Sequence, residues 1–365
     1  MSPAASPAGG PTRYDVGRDD LARLLHDQPR YRLDQVWEGL HRRALAPADI
    51  SNLPSALRER LESELPPALS PVTESTSDGG ETVKFLWRLC DGATVETVLM
   101  HYPAHSDTAA RTTVCVSSQA GCAMACSFCA TGQAGFERHL SAGEIVEQVI
   151  RAQQRANRHP DGPRRVSNVV FMGMGEPLAN LDPVWAAVRR LHDDVGIGAR
   201  KLTISTVGLV PGIDRLAAAD LPVGLAVSLH AADDDLRNQL VPVNRRWPIA
   251  ELTAACHRYI AATGRRVSFE WALISGVNDR WSDADRLAEL ARSLRAHVNL
   301  IPLNPTPGYP VQGSSRNRVH AFARRLSAAG ITTTIRDTRG SDIDAACGQL
   351  RAGHTATALA PPRRR

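Results

Sequence analysis

Three closely spaced cysteines constrain this chain more than any other feature. The segment GCAMACSFC places Cys122, Cys126 and Cys129 in a C-x3-C-x2-C pattern. Structural zinc sites and ordinary iron–sulfur clusters are normally held by four protein ligands. Three thiolates on a cubane cluster would leave one iron open to a substrate or cosubstrate. The pattern therefore predicts either such a cluster or a zinc site completed by Cys115 or His139.

The composition is that of a soluble globular protein. The chain has 365 residues, of which 43% are hydrophobic and 22% charged, and this suits one large domain with smaller appendages. Its net charge of +5 mildly favours a polyanionic partner such as RNA. Because the cations are nearly all arginine, with lysine only at 84 and 201, this composition also fits a GC-rich genome.

The same sequence favours a cytoplasmic protein. No run approaches the ~20 apolar residues that a membrane helix needs, and the N-terminus lacks a basic-then-apolar signal pattern. In a reducing compartment, seven cysteines are more often ligands, catalytic groups or core residues than a disulfide framework.

Changes of composition and periodicity divide the chain into five regions. We expect a disordered tail over 1–17, a small helical domain over 18–66, an antiparallel β extension over 67–105, a barrel over 106–350 and a basic tail over 351–365. Arginines surround the predicted helices of the second region, so that region is either an RNA-contacting domain or a solvated helical cap. These arginines are Arg30, Arg32, Arg42, Arg43, Arg58 and Arg60.

Strand and helix patterns alternate through the fourth region. Candidate strands are 112–118, 166–173, 201–206, 223–229, 266–273, 298–303 and 331–336. Between them, Ser141 and Glu144 form a capping box and a further helix begins near Ser282. This alternation predicts an α/β fold, an open partial (β/α) barrel whose site lies where the strands end.

Polar or small residues follow several of these strands. The second strand leads into GMGEP, in which two glycines would let the backbone approach a ligand and Glu176 could accept hydrogen bonds from an ammonium group. Each of these residues alone is typical of a turn, but their common position favours a shared site. The candidates are Gly173, Gly175, Glu176, Ser205, Ser228, Leu229, His230 and Asn304.

Two further cysteines and one glutamate are less informative by themselves. Cys115 lies in the first barrel strand, Cys347 in DIDAACGQL near the C-terminus, and Glu96 in VETV. A cysteine in an apolar strand is usually a small core residue, as we expect for Cys256.

Taken together, these motifs resemble one family closely. The three-cysteine segment is similar to the radical S-adenosylmethionine signature. With VETV, CVSSQAGCAMACSFCATG, FMGMGEPLAN, TISTVGLVP, SLHA, LVPVN, LIPLNPTPG and GSDIDAACGQLR, in this order and spacing, the chain resembles the RlmN family. The match runs from about residue 37 to residue 351. Members are radical S-adenosylmethionine enzymes that methylate an adenine of 23S ribosomal RNA at C2, and some also methylate transfer RNA next to the anticodon.

The resemblance implies roles residue by residue. Cys122, Cys126 and Cys129 would hold a [4Fe–4S] cluster. The catalytic residues would be Cys347 as methyl carrier, Glu96 as acceptor of the C2 proton, and Cys115 as the thiol that resolves a protein–RNA adduct into a transient disulfide. The positions matching S-adenosylmethionine contacts are Gly175, Glu176, Ser205, Ser228, Leu229, His230 and Asn304.

The resemblance also implies partners. An electron donor such as flavodoxin or ferredoxin would reduce the cluster, and the helical domain would engage RNA. Six further arginines are candidate phosphate contacts, and ordinary surface charge is an equally good interpretation of each. They are Arg245, Arg246, Arg265, Arg266, Arg336 and Arg339.

Three alternatives stay open on the residues alone. Cfr-type relatives share these cysteines and methylate adenine C8. The second alternative is a zinc-stabilised RNA-binding protein without catalytic activity. The third is a radical enzyme that acts on a protein or small molecule, which would keep its activity without Cys115 and Cys347.

Overall fold

A computed structural model describes residues 12–104, 109–304, 311–336 and 343 of the chain. Cys347, Arg339, residues 1–11 of the predicted tail and all of the predicted basic tail lie outside these ranges.

Three helices form the N-terminal region. They are α1 (Arg18–Leu24), α2 (Tyr31–His41) and α3 (Ser55–Glu64). Their apolar residues join the same core as the sheet. Several predicted surface arginines are engaged within this region, because Arg32 and Arg58 donate to the carbonyls of Asn52 and Ala48 and Arg60 pairs with Asp27.

The expectation of disorder up to residue 17 is wrong for residues 12–17. They form a buried turn in which Tyr14 is only 1% exposed and packs edge-on against His41. Asp15 accepts a hydrogen bond of 2.7 Å from the backbone N–H of Gly143, at the start of a barrel helix. A Pro- and Gly-rich composition predicted the tail but could not show that these few residues find partners on a distant segment.

Within the described ranges, ten strands form one sheet, and two more form a short separate ribbon. The bounds are β1 (Ser70–Ser77), β2 (Thr82–Arg88), β3 (Thr94–Tyr102), β4 (Arg111–Cys115), β5 (Gln119–Gly121), β6 (Phe136–His139), β7 (Asn168–Phe171), β8 (Leu202–Thr206), β9 (Gly224–Ser228), β10 (Ser268–Leu273), β11 (His297–Pro302) and β12 (Thr333–Ile335). The main sheet has the order β1-β2-β3-β4-β7-β8-β9-β10-β11-β12, and β5 pairs with β6.

The sheet has a parallel part and an antiparallel part. From β4 through β12 all neighbours are parallel, whereas β1 to β4 pair antiparallel. Within the described strands, β1 and β12 are the two ends of the sheet, so the barrel is open. The predicted fold class, an open partial barrel with an antiparallel extension, is confirmed.

Helices connect the parallel strands, as the alternation predicts. They are α4 (Ala130–Gln133), α5 (Ala142–Ala156), α6 (Leu181–Asp193), α7 (Val210–Ala217), α8 (Asp234–Leu240), α9 (Ile249–Thr263), α10 (Trp281–Leu294) and α11 (Arg316–Ala328). The predicted capping box of α5 is confirmed, since Ser141 Oγ accepts from the Glu144 N–H and Glu144 accepts from the Ser141 N–H. Among the helices that the structure describes, none has the length and apolar character needed to cross a membrane.

The first barrel strand is shorter than the predicted 112–118. Strand β4 ends at Cys115, and although the Val116 N–H still donates to Val170 of β7 at 3.0 Å, the two residues after it bond elsewhere. The N–H of Ser117 donates to the Gln148 side chain at 2.8 Å, and the N–H of Ser118 donates to the Met174 carbonyl at 2.8 Å. The chain therefore leaves the sheet at Ser117, shortly before the loop that carries the three cysteines.

Trp37 should contribute strongly to docking the N-terminal helices. It is 9% exposed, its ring lies 4.2 Å from that of His41, and its Nε1 donates to Asp194 of the barrel at 3.0 Å. We expect Trp37→Ala to lower the free energy of unfolding by about 3–5 kcal/mol, and Trp37→Phe, which keeps most of the packing, by about 1 kcal/mol. Denaturant unfolding followed by circular dichroism measures both, and equal small losses would contradict this role.

Candidate functional site

The three cysteines lie on a loop whose two ends are joined. Strands β5 and β6 pair before and after the cysteine loop, and the Cys122 N–H donates to the Gly135 carbonyl at 2.7 Å. Gly121 has a φ of +72°, and a Cβ there would lie 2.1 Å from the Gly135 oxygen. The loop can close on itself only because glycine occupies this position.

The middle of the loop rests on the segment after β9. The N–H of Ser127 donates to the Leu240 carbonyl at 3.1 Å, and Cys126 belongs to a small apolar cluster with Leu240, Val241 and Ile274. Cys126 is therefore buried, whereas Cys122 and Cys129 are half-buried. All three side chains line one cavity of about 200 Å³.

The three sulfurs are not arranged as a preformed zinc site. Zinc holds thiolates at about 2.3 Å, so their sulfurs would lie about 3.8 Å apart. Among the residues described, one set of three or more candidate ligands has its ligand atoms within 4.8 Å of one another, and it contains no cysteine. The three sulfurs therefore do not all lie within 4.8 Å of one another, whereas a cubane held by three thiolates would bind each of them to a different iron.

The other set consists of Glu81, His159 and Asp161, and the side chain of Arg164 already occupies its two carboxylates. Arg164 donates to Glu81 at 2.8 Å and to Asp161 at 3.2 Å. The proposed fourth zinc ligand His139 is likewise engaged, since its Nδ1 lies 3.0 Å from the Gln119 amide nitrogen.

Burial keeps the thiols of Cys122 and Cys126 protonated. Loss of solvation raises the pKa of Cys122 to about 11 and raises the pKa of Cys126 further. Binding of iron would therefore release protons from these groups, and the thiolates become stable only as metal ligands.

The glycines after β7 serve the protein's own packing. A Cβ on Gly173 would lie 2.7 Å from the Val116 carbonyl oxygen. Gly175 has a φ of +99°, and a Cβ there would lie 2.5 Å from the Cβ of Gln119. We predicted that these glycines permit close approach of a ligand. The structure shows close approach of the loop to the chain that leaves β4, and both glycines also line the cavity, so the ligand role stays a prediction.

Glu176 joins the loops after β7 and β8. Its carboxylate accepts backbone hydrogen bonds from Leu178 at 3.0 Å and from Val207 at 2.8 Å, and its own N–H donates to Gln119. The side chain is 2% exposed, and this burial raises its pKa to about 7. It lines the cavity, where a cationic ligand would stabilise its charged form.

Ser205, Ser228 and His230 line the same cavity from β8 and β9. The two serine hydroxyls lie 3.5 Å apart. His230 has a φ of +59° and accepts a hydrogen bond at Nδ1 from the Ala272 N–H at 3.0 Å. Its pKa falls to about 3 through burial, so the ring is neutral and carries its proton on Nε2.

Two of the predicted contact residues do not line this cavity in the described structure. The Leu229 side chain is buried in the main core, its N–H donates to Glu270 and its carbonyl accepts from Arg237. Asn304 lies beyond the end of β11, half-buried, directly before residues outside the described ranges. Alternation along a strand explains Leu229, because its neighbours Ser228 and His230 face the cavity.

Arg237 is a supporting residue that the sequence did not reveal. It is fully buried and donates to the carbonyls of Val207 at 2.6 Å and Leu229 at 3.0 Å, and to Asn244 at 2.7 Å. It thereby ties the loops after β8 and β9 to α8. In the sequence it is one arginine in a polar helix, and nothing local distinguishes it from surface arginines.

Glu270 is a second such residue, and it had a detectable signal. It is an acidic residue in the apolar strand SFEWAL, and buried charges need partners. Its carboxylate accepts from Ser268 at 2.8 Å and Asn299 at 2.6 Å, and burial raises its pKa. It lines the cavity together with Arg336.

Glu96 and Cys115 lie on neighbouring strands, on the same face of the sheet. Cys115 pairs with Val98 of β3 and with Val170 of β7, and both Glu96 and Cys115 are buried. Val170 and Thr113 line a second interior cavity of about 550 Å³, so Cys115, two residues from Thr113, faces the same interior.

Comparison with known proteins gives consistent results. Residues 116–291 match the model of the radical SAM superfamily. A probable dual-specificity RNA methyltransferase RlmN from Parafrankia sp. is 50% identical, with 96% of this chain and 95% of the relative covered. A protein of the same description from Thermobifida fusca is 54% identical, with 92% of each covered. The crystal structure of a radical SAM methyltransferase from Sphaerobacter thermophilus is 51% identical, has a TM-score of 0.87 and covers 93% of this chain and 99% of its own.

Binding of S-adenosylmethionine should depend on pH through Glu176. If its carboxylate receives the ligand's ammonium group, binding requires loss of the proton that burial keeps on this group below about pH 7. We expect affinity about fivefold weaker at pH 6 than at pH 7. Calorimetry on the cluster-loaded protein measures this.

Glu176→Gln is the matched control. The variant should bind more weakly and with nearly constant affinity between pH 6 and pH 7. The same pH dependence in both proteins would exclude Glu176 as the titrating group.

Proposed function

The chain belongs to the RlmN family of radical S-adenosylmethionine RNA methyltransferases, and from that premise we propose that it methylates C2 of an adenine in 23S ribosomal RNA. The observation that supports this most is the combination of two sets of groups inside one barrel. Three cysteines line a cavity with Glu176 and His230, and Glu96 and Cys115 face the interior from β3 and β4. Ordinary methyl transfer would need neither set.

The cofactors account for the first set. A [4Fe–4S] cluster on Cys122, Cys126 and Cys129, with an electron donor such as flavodoxin or ferredoxin, would supply the electron that splits S-adenosylmethionine into methionine and a 5′-deoxyadenosyl radical, and would take back the electron that the RNA adduct loses. Within the cavity, Glu176, Ser205, Ser228 and His230 would orient that ligand.

The chain's own thiols would carry the methyl group. Adenine C2 is electrophilic and does not attack a sulfonium methyl directly. Cys347 would first accept a methyl group from one S-adenosylmethionine as a thioether, with S-adenosylhomocysteine leaving. Removal of one hydrogen from that methyl leaves a carbon radical that adds to C2, and Glu96 would take the C2 proton.

Cys115 would then release the product. Its thiolate attacks the sulfur of Cys347, the S–S bond forms, and the C–S bond to the RNA breaks. The electron pair of that bond stays on the former methylene carbon, which gains a proton and becomes the methyl group. An external thiol must then reduce the disulfide.

We further propose that transfer RNA is a second substrate. The curated relatives carry the description dual-specificity RNA methyltransferase, which supports two RNA classes. Arg42 and Arg43 at the end of α2 and the exposed Arg245 and Arg246 are candidate phosphate contacts.

Mass spectrometry of ribosomal RNA tests the reaction. A strain lacking its own RlmN should regain 2-methyladenosine when it expresses this chain. Appearance of 8-methyladenosine instead would indicate Cfr-type chemistry. No modified adenosine from a cluster-loaded protein would contradict the proposal.

Variants of the two thiols test the route. Cys115→Ala should accumulate protein covalently attached to RNA, and Cys347→Ala should form neither product nor adduct. Cys256→Ala, which removes a buried core thiol, is the control and should remain active. Activity in both of the first two variants would contradict the thiol mechanism.

A further inference from the structure

Lys84 is a lysine in an unusual environment. It is one of two lysines in the chain, lies in β2 and is 0% exposed. An ammonium group is costly to bury unless charged or polar groups surround it. A buried lysine in a chain that otherwise uses arginine therefore indicates a specific local requirement for a compact cation.

The strand register places Lys84 next to two proposed catalytic residues. Lys84 pairs with Val98 of β3, and Val98 pairs with Cys115 of β4, so the three residues form one row across the sheet. Glu96 lies two residues before Val98 and is thus a diagonal neighbour of Lys84, with Cβ atoms within about 7–8 Å. A lysine side chain is long enough to reach both Glu96 and Cys115.

This row faces the barrel interior. Thr82, two residues before Lys84, pairs with Met100, and Met100 lines the interior cavity with Thr113. Because side chains alternate along strands, Lys84, Glu96 and Cys115 point the same way as Met100 and Thr113. Glu96 is 4% exposed, so a buried carboxylate and a buried ammonium occupy the same face.

Lys84 also contacts the chain beyond the last strand. Its Nζ donates to the backbone carbonyl of Ile343 at 3.3 Å. Ile343 comes after β12, whereas β2 lies near the opposite end of the sheet order. Ile343 is also four residues before Cys347 in the sequence. One ammonium thus connects the strands of Glu96 and Cys115 to the segment that leads to the methyl-carrying cysteine.

We propose that Lys84 is a positioning residue for the resolving step. It holds the backbone at Ile343 against β2 and β3, and its charge balances the Glu96 carboxylate beside Cys115. The inference rests on the proposed function. The Lys84 hydrogen bond to Ile343 lies in the row of residues that contains Cys115. Its loss should therefore slow release of the RNA from Cys347 more than it slows the earlier methylation of Cys347.

Substitution of Lys84 tests this by separating the steps. In Lys84→Met we expect release of methylated RNA to slow about tenfold, as for loss of one hydrogen bond to a charged group. Covalent protein–RNA adduct should accumulate on denaturing gels. Formation of 5′-deoxyadenosine and methylation of Cys347, followed by mass spectrometry, should stay within about twofold of wild type. Lys84→Arg keeps the charge on a bulkier group and should restore the release rate only in part.

Two further variants make the result interpretable. Lys201→Met applies the same change to the other, exposed lysine and should leave every rate unchanged. Lys84→Gln keeps a donor without the charge, provides a second neutral variant if Lys84→Met folds poorly, and should also accumulate adduct.

Specific outcomes would overturn the role of Lys84. Release at the wild-type rate in both neutral variants would do so, as would equal loss of all steps with no recovery in Lys84→Arg. Wild-type protein that forms no 2-methyladenosine would count against the proposed function itself, whereas an active wild type with an unaffected Lys84→Met would count against this inference alone.

Discussion

A loop that presents three thiols to one cavity can keep them apart only if neighbouring segments fix its backbone. Here the β5–β6 pair joins the ends of the loop, and the Leu240 carbonyl holds its middle at Ser127. Leu240 ends α8, whose Arg237 is bonded to the carbonyls of Val207 and Leu229. The position of the thiols therefore depends on the loops after β8 and β9 as much as on the cysteine loop itself.

The polar groups at the strand ends have a structural as well as a proposed ligand role. Glu176 accepts backbone bonds from two loops, and His230 accepts one from β10. Both residues also line the cavity. A ligand there would meet groups already held in place, so binding would cost little conformational entropy of the protein.

Regular elements were more predictable than the contacts between them. The strands after β4 and the cap of α5 follow from periodicity and from Ser141 and Glu144, because those signals lie within one element. Strand β4 is shorter than predicted because Gln148 and Met174, far along the chain, take the hydrogen bonds of Ser117 and Ser118. The turn at Tyr14 was missed for the same reason.

The site shows the same division. Cysteine spacing and strand-end position identified the three cysteines and six further residues that line the cavity. Leu229 was wrongly grouped with them as a cavity residue, because a motif match ignores the alternation of side chains along the chain. Arg237 and Lys84 donate to carbonyls that only the fold brings close. Arg237 does not stand out in the sequence, and Lys84 does so only as one of two lysines. Glu270 could have been found, since a lone acidic residue in an apolar strand indicates a buried polar network.

The central claim is that three thiolates hold a cubane whose fourth iron is open. Metal and sulfide analysis of anaerobically prepared protein, with electron paramagnetic resonance of the reduced form, tests it most directly. The account predicts about four iron and four sulfide per chain, and a resonance that changes when S-adenosylmethionine is added. Cys126→Ala should lose the cluster, whereas Cys256→Ala should keep it. A colourless protein with one zinc ion, or a cluster whose resonance ignores S-adenosylmethionine, would contradict it.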